Sequence, residues 1–332
     1  MPPSSMFYNQ IFLNCISSKI RLAVILLDGN TKLIKNATHK NWLLLGLSVF
    51  AISWSGPLIR LAFPIPVLVI VFVRLGFAFL IMLFLSWYLK EKNNYSFTRN
   101  SYSLLILAGL SLGAHFWFWT ESLKHTSIII SVVLVTLHPI FVGFGAYFFL
   151  KEPFSRSLVF GAAIALLGTL IMTGMDISLQ NSLWGNFLAL IGGIFFSIFL
   201  VVSRAMRKQI STFSYSAIVY GLATLFVGFG FIFSDVQFVT ASPSAYWALI
   251  GIVVLPQLIG HTTINWTLGI FPAAIVGIAI VCEPIGASLL AVILLDEIPT
   301  LFEMVGALII VSGVYIAIRN RAVVSNDKKM CI

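Results

Sequence analysis

Two ionisable residues sit at the middle of long apolar runs. His138 lies midway along Thr126–Leu150, and Glu283 lies midway along Pro272–Leu295. Each is followed by a proline, giving His138-Pro139 and Glu283-Pro284. A charged group at the centre of a membrane helix costs about 2.5–3.5 kcal/mol on insertion scales. A proline beside it removes a backbone donor and frees a carbonyl four residues back, at Val135 or Ile280. The functional reading is a polar cavity that binds substrate or protons, with Glu283 able to exchange a proton for a substrate cation. The plain alternative is a neutral side chain hydrogen-bonded between helices.

Other polar and aromatic residues could join that cavity. Arg74, in VFVRLGFAFL, carries a planar guanidinium that holds a carboxylate or phosphate bidentately; its structural alternative is pairing with Glu121 or reaching outward to the interface. Arg60 lies nearer the interface and reads as structural. His115 opens the run HFWFW, and with Trp117 and Trp54 it could wall a flat or cationic substrate. Trp119 reads instead as part of an interfacial aromatic belt. His261 and Gln257, near Pro256, give the later part of the chain its own polar face. The candidate substrate-binding or proton-coupling set is therefore Glu283, His138, His115, His261, Gln257, Trp117, Trp54 and Arg74.

The elements that carry these residues follow from composition. Of 332 residues, 9% are charged and 59% belong to the hydrophobic set, with a mean hydropathy of +1.02. A soluble domain carries about 25% charged residues. The apolar runs are continuous rather than alternating, which excludes a β-barrel pattern. The expected fold is an all-α membrane protein with ten transmembrane helices. These run Trp42–Ala62, Pro66–Leu89, Tyr102–Leu123, Thr126–Leu150, Leu158–Met175, Leu183–Met206, Phe213–Ser234, Ala245–Leu268, Pro272–Leu295 and Leu301–Ile318. Each is long enough for a hydrocarbon core of about 30 Å.

If the spans alternate, all of the 20 basic residues except Lys124, Arg60 and Arg74 fall on one side. Basic loops stay in the cytoplasm, so both termini are expected there. The opposite loops carry Asp176, Asp235, Asp296, Glu297 and Glu303. Within residues 1–40, the stretch Ile11–Leu27 is interrupted by Asn14, Ser17, Lys19 and Arg21. It is too polar for a span and reads as a cytoplasmic arm. The net charge of +9 thus reports topology rather than nucleic-acid binding.

The chain repeats itself at an offset of 145 residues. TESLKHTSIIISVVLVTLHPIFVGFGAYFFLKEPFS, from Thr120, aligns without gaps on NWTLGIFPAAIVGIAIVCEPIGASLLAVILLDEIPT, from Asn265. Pro139 falls on Pro284, Glu152 on Glu297, Gly161 on Gly306 and Gly168 on Gly313. Five spans per unit is an odd number, so the second unit enters the membrane from the opposite side. Inverted repeats suit alternating access and put a substrate site near the midplane. The expected division is an arm over 1–40, repeats over 41–178 and 179–320, and a tail over 321–332.

This pattern of a mid-helix proline, a Lys-Glu-Pro step at Lys151-Glu152-Pro153 and a glycine-rich closing helix resembles the EamA domains of the drug/metabolite transporter superfamily. The resemblance covers residues 40–318 in two copies. It implies a secondary transporter of the bacterial inner membrane that carries a small polar organic metabolite by alternating access. Such domains often have an arginine at the place of Arg74. The weighed alternatives are an uncoupled exchanger of a nucleoside-containing cofactor such as S-adenosylmethionine, and a membrane-embedded enzyme or receptor. No nucleotide-binding loop, catalytic triad or paired-carboxylate motif is present, so no enzyme activity and no cofactor are expected. His115, His138, His261 and Glu283 lack metal-ligand spacing, so no metal is expected. The partners are a small-molecule substrate and the lipid bilayer, with the protein a monomer or homodimer.

Overall fold

A computed structural model describes residues 39–90, 98–126, 128–152, 155–172, 183–236, 240–295 and 300–323. The expected N-terminal arm and C-terminal tail fall almost wholly outside these residues. Among the described residues the regular structure is helical throughout. Seven stretches are long and apolar enough to cross a membrane: His39–Ala62, Val67–Tyr88, Arg99–His125, Leu183–Met206, Thr212–Phe233, Pro243–Leu268 and Ala273–Leu290. The other three expected spans correspond to shorter apolar helices, His138–Leu150, Arg156–Ile171 and Met304–Ile318. The outward faces carry Phe77, Phe84, Trp87, Phe148, Phe149, Leu225, Phe233 and Trp247, all exposed. An apolar exterior of this extent is the surface a bilayer covers.

Helix ends follow local chemistry. Thr98 caps the Arg99–His125 helix in a reciprocal box with Ser101. Ser242 accepts from the Ala245 N–H ahead of Pro243–Ile252, where Pro243 takes the first helical position. Pro66 and Pro272 precede the Val67–Tyr88 and Ala273–Ile280 helices.

Three runs are interrupted at their centres. Ile128–Val135 stops before His138–Leu150, and Ala273–Ile280 stops before Glu283–Leu295. His39–Ile52 stops before Ser55–Ala62. The first two breaks lie at the two mid-run prolines. A further distortion is a widened π-helical segment, Val253–His261, which contains Pro256. Segments of this kind arise where the ordinary backbone ladder cannot be completed, and they are frequent at functional sites.

The Arg156–Met172 and Leu301–Val323 helices cross in antiparallel contact on glycine. Gly161 sits against Gly313 and Ala317, and Gly168 sits against Gly306 and Ile310. A Cβ added at Gly161 would meet the Ala317 backbone and the Gly313 carbonyl. Gly161→Leu is therefore expected to lower unfolding stability in detergent by about 1–3 kcal/mol, the usual cost of overpacking. Gly46→Ala, where an added Cβ meets nothing within 4 Å, is the control and should be neutral or stabilising.

Candidate functional site

The breaks in the helices bring the polar residues together. His138 opens its half-helix and is completely buried. Its Nδ1 lies 3.0 Å from the Val135 carbonyl, one of the two that the sequence marks as losing its partner to a proline. Its Nε2 lies 3.1 Å from the Gly277 carbonyl, on the other interrupted helix. A neutral ring donates one of these bonds and an imidazolium both. His138 thus replaces a missing backbone donor and also bridges the two halves of the chain.

Glu283 opens the corresponding half-helix in the second half of the chain. There its carboxyl group is near the positive end of the helix dipole. The two breaks are held in the same way. Ser197 Oγ reaches the His138 carbonyl at 3.1 Å and the Gly193 carbonyl at 2.8 Å. Ser53 Oγ reaches the Glu283 carbonyl at 3.0 Å and the Val49 carbonyl at 2.9 Å. In both cases a serine bonds back to its own helix and across to the first residue after a break.

His115, His138, His261 and Glu283 all line one cavity of about 20 Å³. That volume holds about one water molecule. Trp119 and Phe196 supply apolar wall, and Ser55 and Thr136 also face the space. His115 stacks on Trp119, the rings nearly parallel at a centroid distance of 6.0 Å, and on Phe196 at 4.5 Å. His115 Nδ1 lies 3.0 Å from the Gly192 carbonyl. Among the described residues no group of three or more His, Cys, Asp or Glu side chains is arranged to hold a metal ion.

Arg74 and Gln257 lie beside this cavity rather than on its wall. Arg74 is 1% exposed, and its Nε donates to Gln257 Oε1 at 2.6 Å. The expected structural alternative, pairing with Glu121 or reaching outward, does not occur. Glu121 instead pairs with Lys124 at 2.7 Å, one helical turn away on its own helix. The Arg74 guanidinium carbon is 3.8 Å from the centroid of the Phe116 ring. The same ring meets His261 edge-on at 4.9 Å. Phe116 thus contacts both the arginine and a histidine of the cavity wall.

Trp117 and Trp54 do not line the cavity. Trp117 faces away from it, edge-on to Phe226 at 6.1 Å and close to Gly230. Trp54 occupies the turn before Ser55–Ala62, and its neighbour Ser55 reaches the space instead. Trp119, expected at the interface, is 5% exposed and inside. Its position four residues after His115 was the available signal, because such pairs share a helix face.

Sequence reasoning also missed a buried ion pair. Arg204, counted among the basic loop residues, is completely buried. Its Nε donates to Glu152 Oε1 at 3.0 Å, and its Nη1 donates to the Leu268 carbonyl at 2.7 Å. Glu152 Oε2 accepts from the Ala273 N–H at 3.2 Å. The pair therefore fastens the end of one helix and the start of the next to the Lys151-Glu152 step.

The sequence pattern of the EamA-like transporter family matches this chain twice, over residues 12–174 and 183–319. The uncharacterized transporter YoaV of Bacillus subtilis (strain 168) is 27% identical over 187 residues, covering 55% of this chain and 64% of YoaV. The uncharacterized transporter YdfC of the same organism is 24% identical over 196 residues, covering 58% of this chain and 62% of YdfC. The matched stretch spans less than two thirds of either relative. One solved crystal structure superposes with a TM-score of 0.70 at 16% identity, over 86% of this chain and 98% of that chain, a likeness of fold. With the family pattern running twice through its interrupted, apolar helices, this chain belongs to the EamA-like transporter family, and it is a multi-pass membrane protein.

Proposed function

We propose that this protein is a secondary transporter that carries a small polar organic metabolite across the bacterial inner membrane by alternating access. Its ten spans form two inverted five-helix repeats, 41–178 and 179–320, with both termini in the cytoplasm. The observation that carries this reading is the central cavity, where three histidines and a glutamate meet between two interrupted helices. Ionisable groups in membrane helices cluster at substrate and ion pathways. A space of about 20 Å³ is too small for an organic solute, so the site must enlarge to bind one.

Reciprocal contacts between the halves support the repeat. Phe116 and His261, 145 positions apart, meet edge-on. Gly161 meets Gly313 while Gly168 meets Gly306, each glycine facing the counterpart of the other. Ser53 and Ser197 make the same pair of hydrogen bonds to the two breaks. A two-fold relation between halves generates reciprocal contacts of this kind.

The test is flux. Proteoliposomes holding the purified protein should exchange at least one member of a metabolite library against a preloaded pool, while empty liposomes do not. Absence of flux for every member defeats the transport reading. A reporter fused after Ile332 that fluoresces only in the cytoplasm should be bright. Activity of the opposite kind of reporter, functional only outside the cytoplasm, would reverse the assigned topology.

A further inference from the structure

We infer that the Glu152–Arg204 ion pair is a latch that shuts the transport route at its cytoplasmic end and parts when the site opens to that side. This deepens the transport reading above and rests on it. The starting point is what the pair joins. Arg204 Nε donates to Glu152 Oε1, Arg204 Nη1 donates to the Leu268 carbonyl, and the Ala273 N–H donates to Glu152 Oε2. Four helical segments therefore meet at one point. The same four segments line the cavity further along, through His138, Phe196, His261 and Ile280.

The spacing is alike on all four. Arg204 lies eight residues beyond Phe196, Leu268 seven beyond His261, and Ala273 seven before Ile280. Lys151 takes a left-handed φ of 53°, which turns the chain so that the Glu152 N–H meets the Ala146 carbonyl at 3.0 Å, eight residues beyond His138. At 1.5 Å per residue, the pair sits about 10–12 Å from the cavity. Val142, Leu200, Ile264 and Val276 occupy the interval, and all are completely buried. On the far side of the pair the bundle ends, where Lys151 and Lys208 are exposed.

An ion pair at this place suits opening better than holding. Replacing a buried pair by apolar groups is often neutral or stabilising, so stability alone does not call for charges here. Arg204 Nη2 is buried and has no hydrogen-bond partner among the described residues, so the guanidinium is incompletely satisfied while the segments are together. Charged groups are well solvated once water reaches them, whereas exposed apolar groups are not. With the segments packed, Arg204 has no way to water. Only their parting, beside the exposed lysines, hydrates both partners and lets the end of the bundle open.

The experiment uses the full chain with Cys15→Ser, Cys282→Ala and Cys331→Ser, and with Val276→Cys as the reporter thiol between cavity and pair. A membrane-impermeant maleimide is applied to inside-out and to right-side-out membrane vesicles, and initial labelling rates are compared. With the pair intact, labelling from the cytoplasmic face should be slow, because a minor conformation is populated at about 0.1–10%. Glu152→Gln should raise that rate by about tenfold or more at that face alone, since only the open end solvates the unpaired arginine. The double variant Arg204→Met with Glu152→Leu should label no faster than the intact pair. It should also lose flux by about tenfold or more in the metabolite-library exchange assay, because apolar groups keep the end shut. An unchanged rate in Glu152→Gln, or an equal rise from both faces as general loosening would give, overturns the inference. Wild-type flux in the double variant overturns it as well. If Glu152→Gln does not fold, the double variant decides. Wild-type flux without the one-sided labelling removes the latch and leaves the transport reading standing, whereas no flux for any library member removes both.

Discussion

Glu152→Gln should destabilise the protein by about 3 kcal/mol or more, in the range of about 3–5 kcal/mol that follows removal of one partner from a buried ion pair. The effect arises because Arg204 cannot follow its lost partner into water. It is completely buried, and it is fixed by a second bond to the Leu268 carbonyl. The substitution keeps the shape and a hydrogen-bonding group but leaves a cation without its counter-charge. It also weakens the negative charge at the Ala273 N–H, the start of the Ala273–Ile280 helix, where an anion complements the helix dipole. Equilibrium unfolding in detergent, compared with wild type at matched protein and detergent concentrations, gives the difference. The double variant Arg204→Met with Glu152→Leu should recover most of the loss, because replacing both charges by apolar groups removes the desolvation penalty along with the attraction. A single-variant loss below about 1 kcal/mol would mean that the pair behaves like a solvated surface bridge.

That pair also marks the limit of reading charge by position. Arg204 contributes to the basic bias of one side whether it faces water or Glu152, because a count of residues contains no partners. The repeat did single out Glu152, through its register with Glu297, but not what it binds. The helix interruptions were more legible. Pro139 and Pro284 lack the donor that the ladder needs, so the freed carbonyl at Val135 could be located from sequence alone, and His138 Nδ1 is found beside it. The widened segment around Pro256 was not foreseen. A proline in a helix predicts some distortion, but whether the chain kinks or gains a π turn depends on packing against its neighbours. The aromatic wall was half legible. HFWFW indicates rings, and the spacing from His115 to Trp119 selects the inner face, yet Trp117 points to Phe226 because neighbours decide which side of a helix is the inside. The two serines at the breaks carry no sequence signal, since they lie 144 rather than 145 positions apart and each acts through a carbonyl more than fifty residues away.

Glu283→Gln is expected to reduce flux by about tenfold or more, or to remove its dependence on pH, while the protein still inserts and folds. Insertion should be unaffected, because a neutral amide is no costlier in a membrane helix than a carboxylate. Folding should also persist, because the contact that secures this break runs from Ser53 to the Glu283 backbone carbonyl and not to its side chain. What the substitution removes is the acidic group facing the cavity. A carboxyl group that releases a proton to take up a substrate cation makes transport follow pH, and an amide cannot do so. Flux into proteoliposomes should be measured for both forms from about pH 5.5 to 8, a range in which a perturbed carboxyl group titrates. His138→Gln is the informative comparison. The ring of His138 joins Val135 to Gly277, so its replacement disturbs packing between the interrupted helices and should lower unfolding stability as well as flux. Glu283→Gln should lower flux alone. An unchanged rate with an unchanged pH profile in Glu283→Gln would take the carboxyl group out of the mechanism and leave it as a packing residue beside the break.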